Sequence, residues 1–150
     1  MVQVRILLPL LSRHRAPEVG VIRVLVTGGR HYGDRARVRE VLDQLHRERG
    51  VRELIEGGAT GADLLANRWA NEAGVPVVTV KPDWRRGRQA GVLRNAKMMA
   101  LKPDLVVAFP GARGTADCVA RAKLAGVEVL MVPLDWEAKN ETPLPNQTRP

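Results

Sequence analysis

Aromatic residues are scarce, with one Tyr, one Phe and three Trp in 150 residues. That shortage counts against a protein that stacks successive bases of a single strand on aromatic platforms. Cysteine is limited to Cys118, so no internal disulfide can form, and His14, His31 and His46 are too scattered to join it in a zinc or other metal site. No apolar run approaches the roughly 20 residues of a membrane span. The brief run at residues 6–11 is too short for a secretory signal and lacks a convincing cleavage site. No membrane partner is therefore expected, and the localisation expected is cytoplasmic. Acidic side chains are outnumbered 16 to 24 by basic ones, and the formal charge of +8 with a pI near 10.7 implies an affinity for anions.

The length suits one domain with a real core and no separate catalytic module. Residues 1–20 read as a flexible leader and residues 135–150, with Pro143, Pro145 and Pro150, as a flexible tail. Residues 21–134 are the expected domain. Within it, β-branched runs alternate with amphipathic segments. The first run, at Val24 to Val26, precedes a helix that starts near the N-cap Asp34, carries Val38, Val41, Leu42 and Leu45 on one stripe and stops at Gly50. Leu54 and Ile55 mark a second strand. The next helix, from Ala62 to Gly74, is expected to bury Ala62, Leu65, Ala66, Trp69 and Ala73. A third strand covers residues 76–80, and a basic connection with Trp84, Arg85, Arg86 and Arg88 leads to a helix expected to turn Val92, Leu93, Ala96, Met99 and Ala100 inward. Strands at residues 105–109 and 127–132 flank a last helix ending at Gly126. This order predicts an α/β, Rossmann-like three-layer sandwich with a five-stranded, mainly parallel sheet, and a binding site at the carboxyl ends of the strands.

Three of these strands run into glycine-rich turns that open helices, over residues 24–33, 54–63 and 105–117. Bare backbone ahead of a helix N-terminus admits a phosphate, and three such turns together point to a nucleotide-type ligand. The first turn has Gly28 and Gly33 but continues with Asp34, where a nucleoside triphosphatase loop needs Lys and then Ser or Thr. No turn has the G-x-G-x-x-G spacing of a dinucleotide fold, and Glu56 alone is a weak match to its ribose-binding acid. Neither an ordinary triphosphatase nor an ordinary nicotinamide dehydrogenase is expected.

The strings Thr27-Gly28-Gly29-Arg30, Gly57-Gly58-Ala59-Thr60-Gly61-Ala62-Asp63, Arg94-Asn95 with Met98, and Pro110-Gly111-Ala112-Arg113-Gly114-Thr115-Ala116-Asp117 resemble the DUF2493 family, the YspA or cpYpsA-related branch of the SLOG superfamily. The resemblance spans roughly residues 22–133. The superfamily also includes the Lonely Guy phosphoribohydrolases and the Rossmann-like domain of DprA. The turn at residues 110–115 is similar to the P-G-G-x-G-T phosphate loop of the Lonely Guy enzymes, with Ala112 in place of a glycine. Arg94 falls where those enzymes carry a catalytic arginine. Their catalytic glutamate falls on Cys118, which leaves Asp117 as the neighbouring acid. The resemblance thus implies Arg94 and Asp117 as catalytic residues if the chain is an enzyme. It implies Thr27, Gly28, Gly29, Arg30, Gly57, Gly58, Thr60, Gly61, Asp63, Asn95, Pro110, Gly111, Arg113, Gly114 and Thr115 as ligand-binding residues, no cofactor, and a homo-oligomer.

Plainer roles stand beside these. Gly57 and Gly58 could serve a tight turn alone, Asp63 could be a helix-start residue instead of a ribose ligand, Arg85, Arg86 and Arg88 could form a solvated loop, Trp84 could cap the core or stack on a base, and Cys118 could be a small buried residue. Three functions follow. The first is binding of a nucleotide or nucleotide-derived small molecule as a sensor or carrier. The second is N-glycosidic cleavage of a nucleoside monophosphate or related nucleotide, with Asp117, Asp63 or Asp83 as the carboxylate and Arg94 as the phosphate or ribose clamp. The third is nucleic-acid binding through the basic surface, which would show steep salt dependence.

Overall fold

The computed structural model describes residues 21–134; the leader and tail expected at residues 1–20 and 135–150 lie outside the described residues. Strand β1 (Ile22–Thr27) is followed by helix α1 (Arg35–Arg49), β2 (Val51–Glu56), α2 (Ala62–Ala73), β3 (Val77–Thr79), a 3-10 segment (Trp84–Gln89), α3 (Ala90–Ala100), β4 (Leu105–Ala108), α4 (Arg113–Leu124) and β5 (Glu128–Met131). The five strands form one sheet in the order β3-β2-β1-β4-β5. Every pairing is parallel. This is the α/β, Rossmann-like architecture the alternation of runs and stripes predicts.

The strand period of two divides the core between the faces of the sheet. Val24, Val26, Leu54, Leu105 and Val107 pack on one side with Val38, Val41, Leu42 and Leu45 of α1 and Ala62, Ala66 and Trp69 of α2. Leu25, Ile55, Val106 and Ala108 pack on the other with Met98 of α3 and Cys118, Val119 and Ala122 of α4. Helix α1 begins and ends where the sequence signals place it. The Asp34 carboxylate accepts a hydrogen bond from the Arg37 amide at 2.9 Å, and the amide of the capping Gly50 donates to the His46 carbonyl at 3.1 Å.

Two helix faces differ from the periodicity. In α2 Ala70 is buried and Ala73 is exposed, so the inward face turns at Ala70. In α3 the expected stripe is met only in part: Met99 packs against the core and Ala96 is half-buried, but Val92, Leu93 and Ala100 are exposed, and the buried residues are Ala90, Asn95 and Met98. The cause is a polar demand. The Asn95 amide donates to the Gly114 carbonyl at 3.1 Å and to the Asp117 carboxylate at 3.0 Å, and the Arg94 guanidinium reaches the Gly57 carbonyl. These bonds fix the rotation of the helix against its hydrophobic pattern.

Candidate functional site

Strand order reverses between β1 and β4, because β1 continues through α1 to β2 on one side while β4 continues to β5 on the other. The loops leaving such neighbours diverge to opposite faces and open a crevice at the carboxyl end of the sheet. A cavity of about 920 Å³ lies there. One wall is Thr27, Gly28, Gly29 and Arg30 after β1, continuing through His31, Tyr32, Gly33 and Asp34. The facing wall is Pro110, Gly111, Ala112, Arg113, Gly114 and Thr115 after β4. Ala59, Asp63, Arg94, Asn95 and Met98 close it between them, with Leu134 at the rim.

The structure therefore brings together twelve of the residues singled out in the sequence and leaves others outside the wall. Gly57, Gly58, Thr60 and Gly61 do not line the cavity, and neither does Asp117. Their positions have internal explanations. A Cβ on Gly61, whose φ is +74°, would overlap the Gly29 carbonyl. Likewise a Cβ on Gly57 would overlap the Arg94 guanidinium, and one on Gly28 would sit 2.5 Å from the Ala62 Cβ. Gly29 joins the three turns: its amide donates to the Pro110 carbonyl at 2.8 Å, and its carbonyl accepts from the Ala62 and Tyr32 amides at 3.1 Å. Thr60 donates to the Arg30 carbonyl at 3.0 Å. The Asp117 carboxylate is held by Asn95 and, at 2.9 Å, by Arg121.

Asp63 is the buried carboxyl of the wall. One of its oxygens accepts from the amides of Gly57 and Ala59, both at 3.2 Å. Burial nevertheless pushes its pKa up from 3.8 to about 6; the Ala59 and Gly57 amides and the Arg94 charge oppose the rise and neighbouring Glu56 adds to it. Glu56, itself buried, accepts from the Gly58 amide at 2.6 Å, the Thr79 hydroxyl at 2.5 Å and the Asn67 amide at 3.1 Å, and so braces the second turn rather than a ribose. Tyr32 packs with its ring centroid 5.3 Å from that of Phe109, and burial raises its pKa to about 12. Cys118 is buried behind the turn, and burial raises its pKa to about 11.

The turn at residues 110–115 presents a helix start to the cavity. Helix α4 begins there at the N-cap Ala112, with no side-chain cap and no acid in its first turn. Its first amides and the positive end of its dipole thus belong to the cavity wall. A Cβ on Gly114 would meet nothing within 4 Å. Arg113 on this turn and Arg30 opposite are exposed, and among the described residues neither forms an ion pair. No group of three or more His, Cys, Asp or Glu among the described residues is placed to hold a metal ion. No helix among them is long and apolar enough to cross a membrane.

The candidate residues read from the sequence leave out His31, Tyr32, Asp34 and Leu134 of this wall, and Gly33, Ala59, Met98 and Ala112 enter there only as members of the first turn and of the family strings. Adjacency to the first turn is the signal for His31, Tyr32 and Asp34, whereas Met98 enters from α3, whose buried face the apolar stripe does not mark.

Comparison with known proteins agrees with this architecture. Residues 22–87 match the model of the YspA, cpYpsA-related SLOG family. The Gene 61 protein of Mycobacterium phage D29 is 41% identical over 117 residues, which cover 72% of this chain and 94% of that protein. The X-ray structure of DNA processing protein A (DprA) from Streptococcus pneumoniae superposes with a TM-score of 0.63 at 20% identity, over 75% of this chain and 50% of that one, a likeness of fold. The chain spans half the length of that structure. On the family match and the identity and extent of the phage relative, the chain belongs to the YspA, cpYpsA-related SLOG family.

Proposed function

We propose that the chain binds a nucleotide or nucleotide-derived small molecule in the cavity between β1 and β4, with a phosphate on the turn at residues 110–115. The observation that carries this reading is the uncapped N-terminus of α4, which opens on the cavity beside the exposed Arg113. Amides, helix dipole and a guanidinium converge there, and each favours a phosphate. Arg30 on the opposite wall supplies a second cation. The test is calorimetric titration with nucleoside mono-, di- and triphosphates against their parent nucleosides. Phosphorylated ligands should bind and bare nucleosides should bind far more weakly, and Arg113→Ala should lower affinity by about 10- to 100-fold, the worth of one charge-assisted contact. Equal binding of nucleosides and nucleotides would contradict the reading.

A second reading, hydrolysis of an N-glycosidic bond, is favoured by Asp63. Its carboxyl, raised to about 6, shares the cavity with Arg94. A carboxyl poised near neutrality and a cation for phosphate or ribose are what that chemistry requires. Of the three carboxylates open to that role, Asp63 lines the cavity, whereas Asp83 does not and the Asp117 carboxylate is engaged outside the wall. Release of free base from nucleoside monophosphates, lost in Arg94→Ala and Asp63→Asn, is the expected result; no release across a broad nucleotide panel would exclude it.

A further inference from the structure

The segment Trp84–Gln89 lies outside the cavity wall and has a chemistry of its own. Trp84 is 64% exposed, whereas Trp69 is 5% exposed and donates its indole N–H to Asp43 at 2.8 Å. Three exposed arginines follow Trp84 within four residues. Arg85 is neutralised, for its guanidinium donates to both oxygens of Asp83 at 2.8 and 3.0 Å. Arg86 and Arg88 form no ion pair among the described residues, and they flank Gly87, whose φ of +68° turns the chain between them. The segment runs directly into α3, whose first turn exposes Val92 at 41% and Leu93 at 36%.

We infer that this segment is a docking surface for single-stranded nucleic acid, with Trp84 stacking on a base and Arg86 and Arg88 neutralising phosphates. An exposed indole alone would suit any apolar partner, and two unpaired guanidiniums alone would suit any polyanion. A single strand offers a flat aromatic face and a phosphate in every unit, and so satisfies both at once. A duplex keeps its bases stacked inside and presents only the phosphates. A second copy of this chain is the poorer fit, because a two-fold interface through Trp84 would set the arginines of one copy against those of the other. The scarcity of aromatics in the sequence limits the site to one stacking platform, since a contiguous array has no residues to build it.

The inference is independent of the nucleotide reading. Its test is fluorescence anisotropy with a short labelled oligothymidylate, an oligouridylate and a duplex of matched length, titrated over a range of salt. One or both single strands should bind more tightly than the duplex, and the two arms tell DNA from RNA. Trp84→Ala should weaken the single strand by about tenfold and leave the salt slope unchanged, and Trp84→Phe should recover most of that loss. The double variant Arg86→Ala, Arg88→Ala should flatten the log–log salt slope by about 1.4, or about 0.7 per phosphate contact. All of these side chains are exposed, so circular dichroism should report an unchanged fold. Equal affinity for the duplex, no binding at low salt, or a Trp84→Ala variant indistinguishable from wild type would overturn the inference. So would a concentration-dependent dimer that Trp84→Ala dissociates, which would assign the surface to a second copy.

Discussion

Asp63 holds the second glycine-rich turn by accepting two of its amides, yet it does so from a buried position that disfavours its charge. Its folded pKa, about 6, lies above the ordinary 3.8. The folded state therefore binds the proton more tightly, so this group's contribution to stability is full below about pH 4 and is lost as pH rises through about 6. The loss amounts to ~3 kcal/mol. Urea unfolding of wild type and Asp63→Asn across pH 4 to 8 should show the variant gaining on the wild type through that window; parallel curves would contradict the assignment. Cys118 offers a simpler check. With its thiol buried and its pKa raised to about 11, it should resist alkylation at pH 8 in the native protein and react on unfolding. Rapid native labelling would show that the turn in front of it opens.

At the scale of elements, the glycines divide by what surrounds them. Gly61→Ala should destabilise the protein by roughly 3 kcal/mol or more, since a positive φ and a carbonyl in the space of the new Cβ act together. Gly114→Ala should leave the melting temperature unchanged or slightly raised, because it lies in the first turn of α4 with open space around it, while weakening the nucleotide that the turn is proposed to hold. Thermal melts and titration of both variants separate a glycine needed for packing from one needed for ligand approach. The same division sets how far the sequence could be read. Helix α1 was legible at both ends and along its stripe because Asp34, Gly50 and the four apolar residues all agree. Helix α3 was not, since its rotation is decided by hydrogen bonds from Arg94 and Asn95 to residues distant in the chain. The sequence reads the second turn as cradle, but Gly57, Gly58, Thr60 and Gly61 all meet the protein itself, and the turn contributes Ala59 and Asp63 to the wall.

For the whole molecule, the sheet order determines where a ligand can sit. Parallel strands all deliver their carboxyl ends to one edge, and the reversal between β1 and β4 opens the crevice that the first and third glycine-rich turns line together. The most direct measurement of the central claim is a titration of the isotopically labelled protein with the tightest nucleotide of the panel, followed by backbone amide shifts. The account predicts saturable changes concentrated at Gly28 and Gly29 and along residues 110–115, with Gly114 among the largest. Changes absent from those amides, or confined to the surface around Trp84, would contradict it.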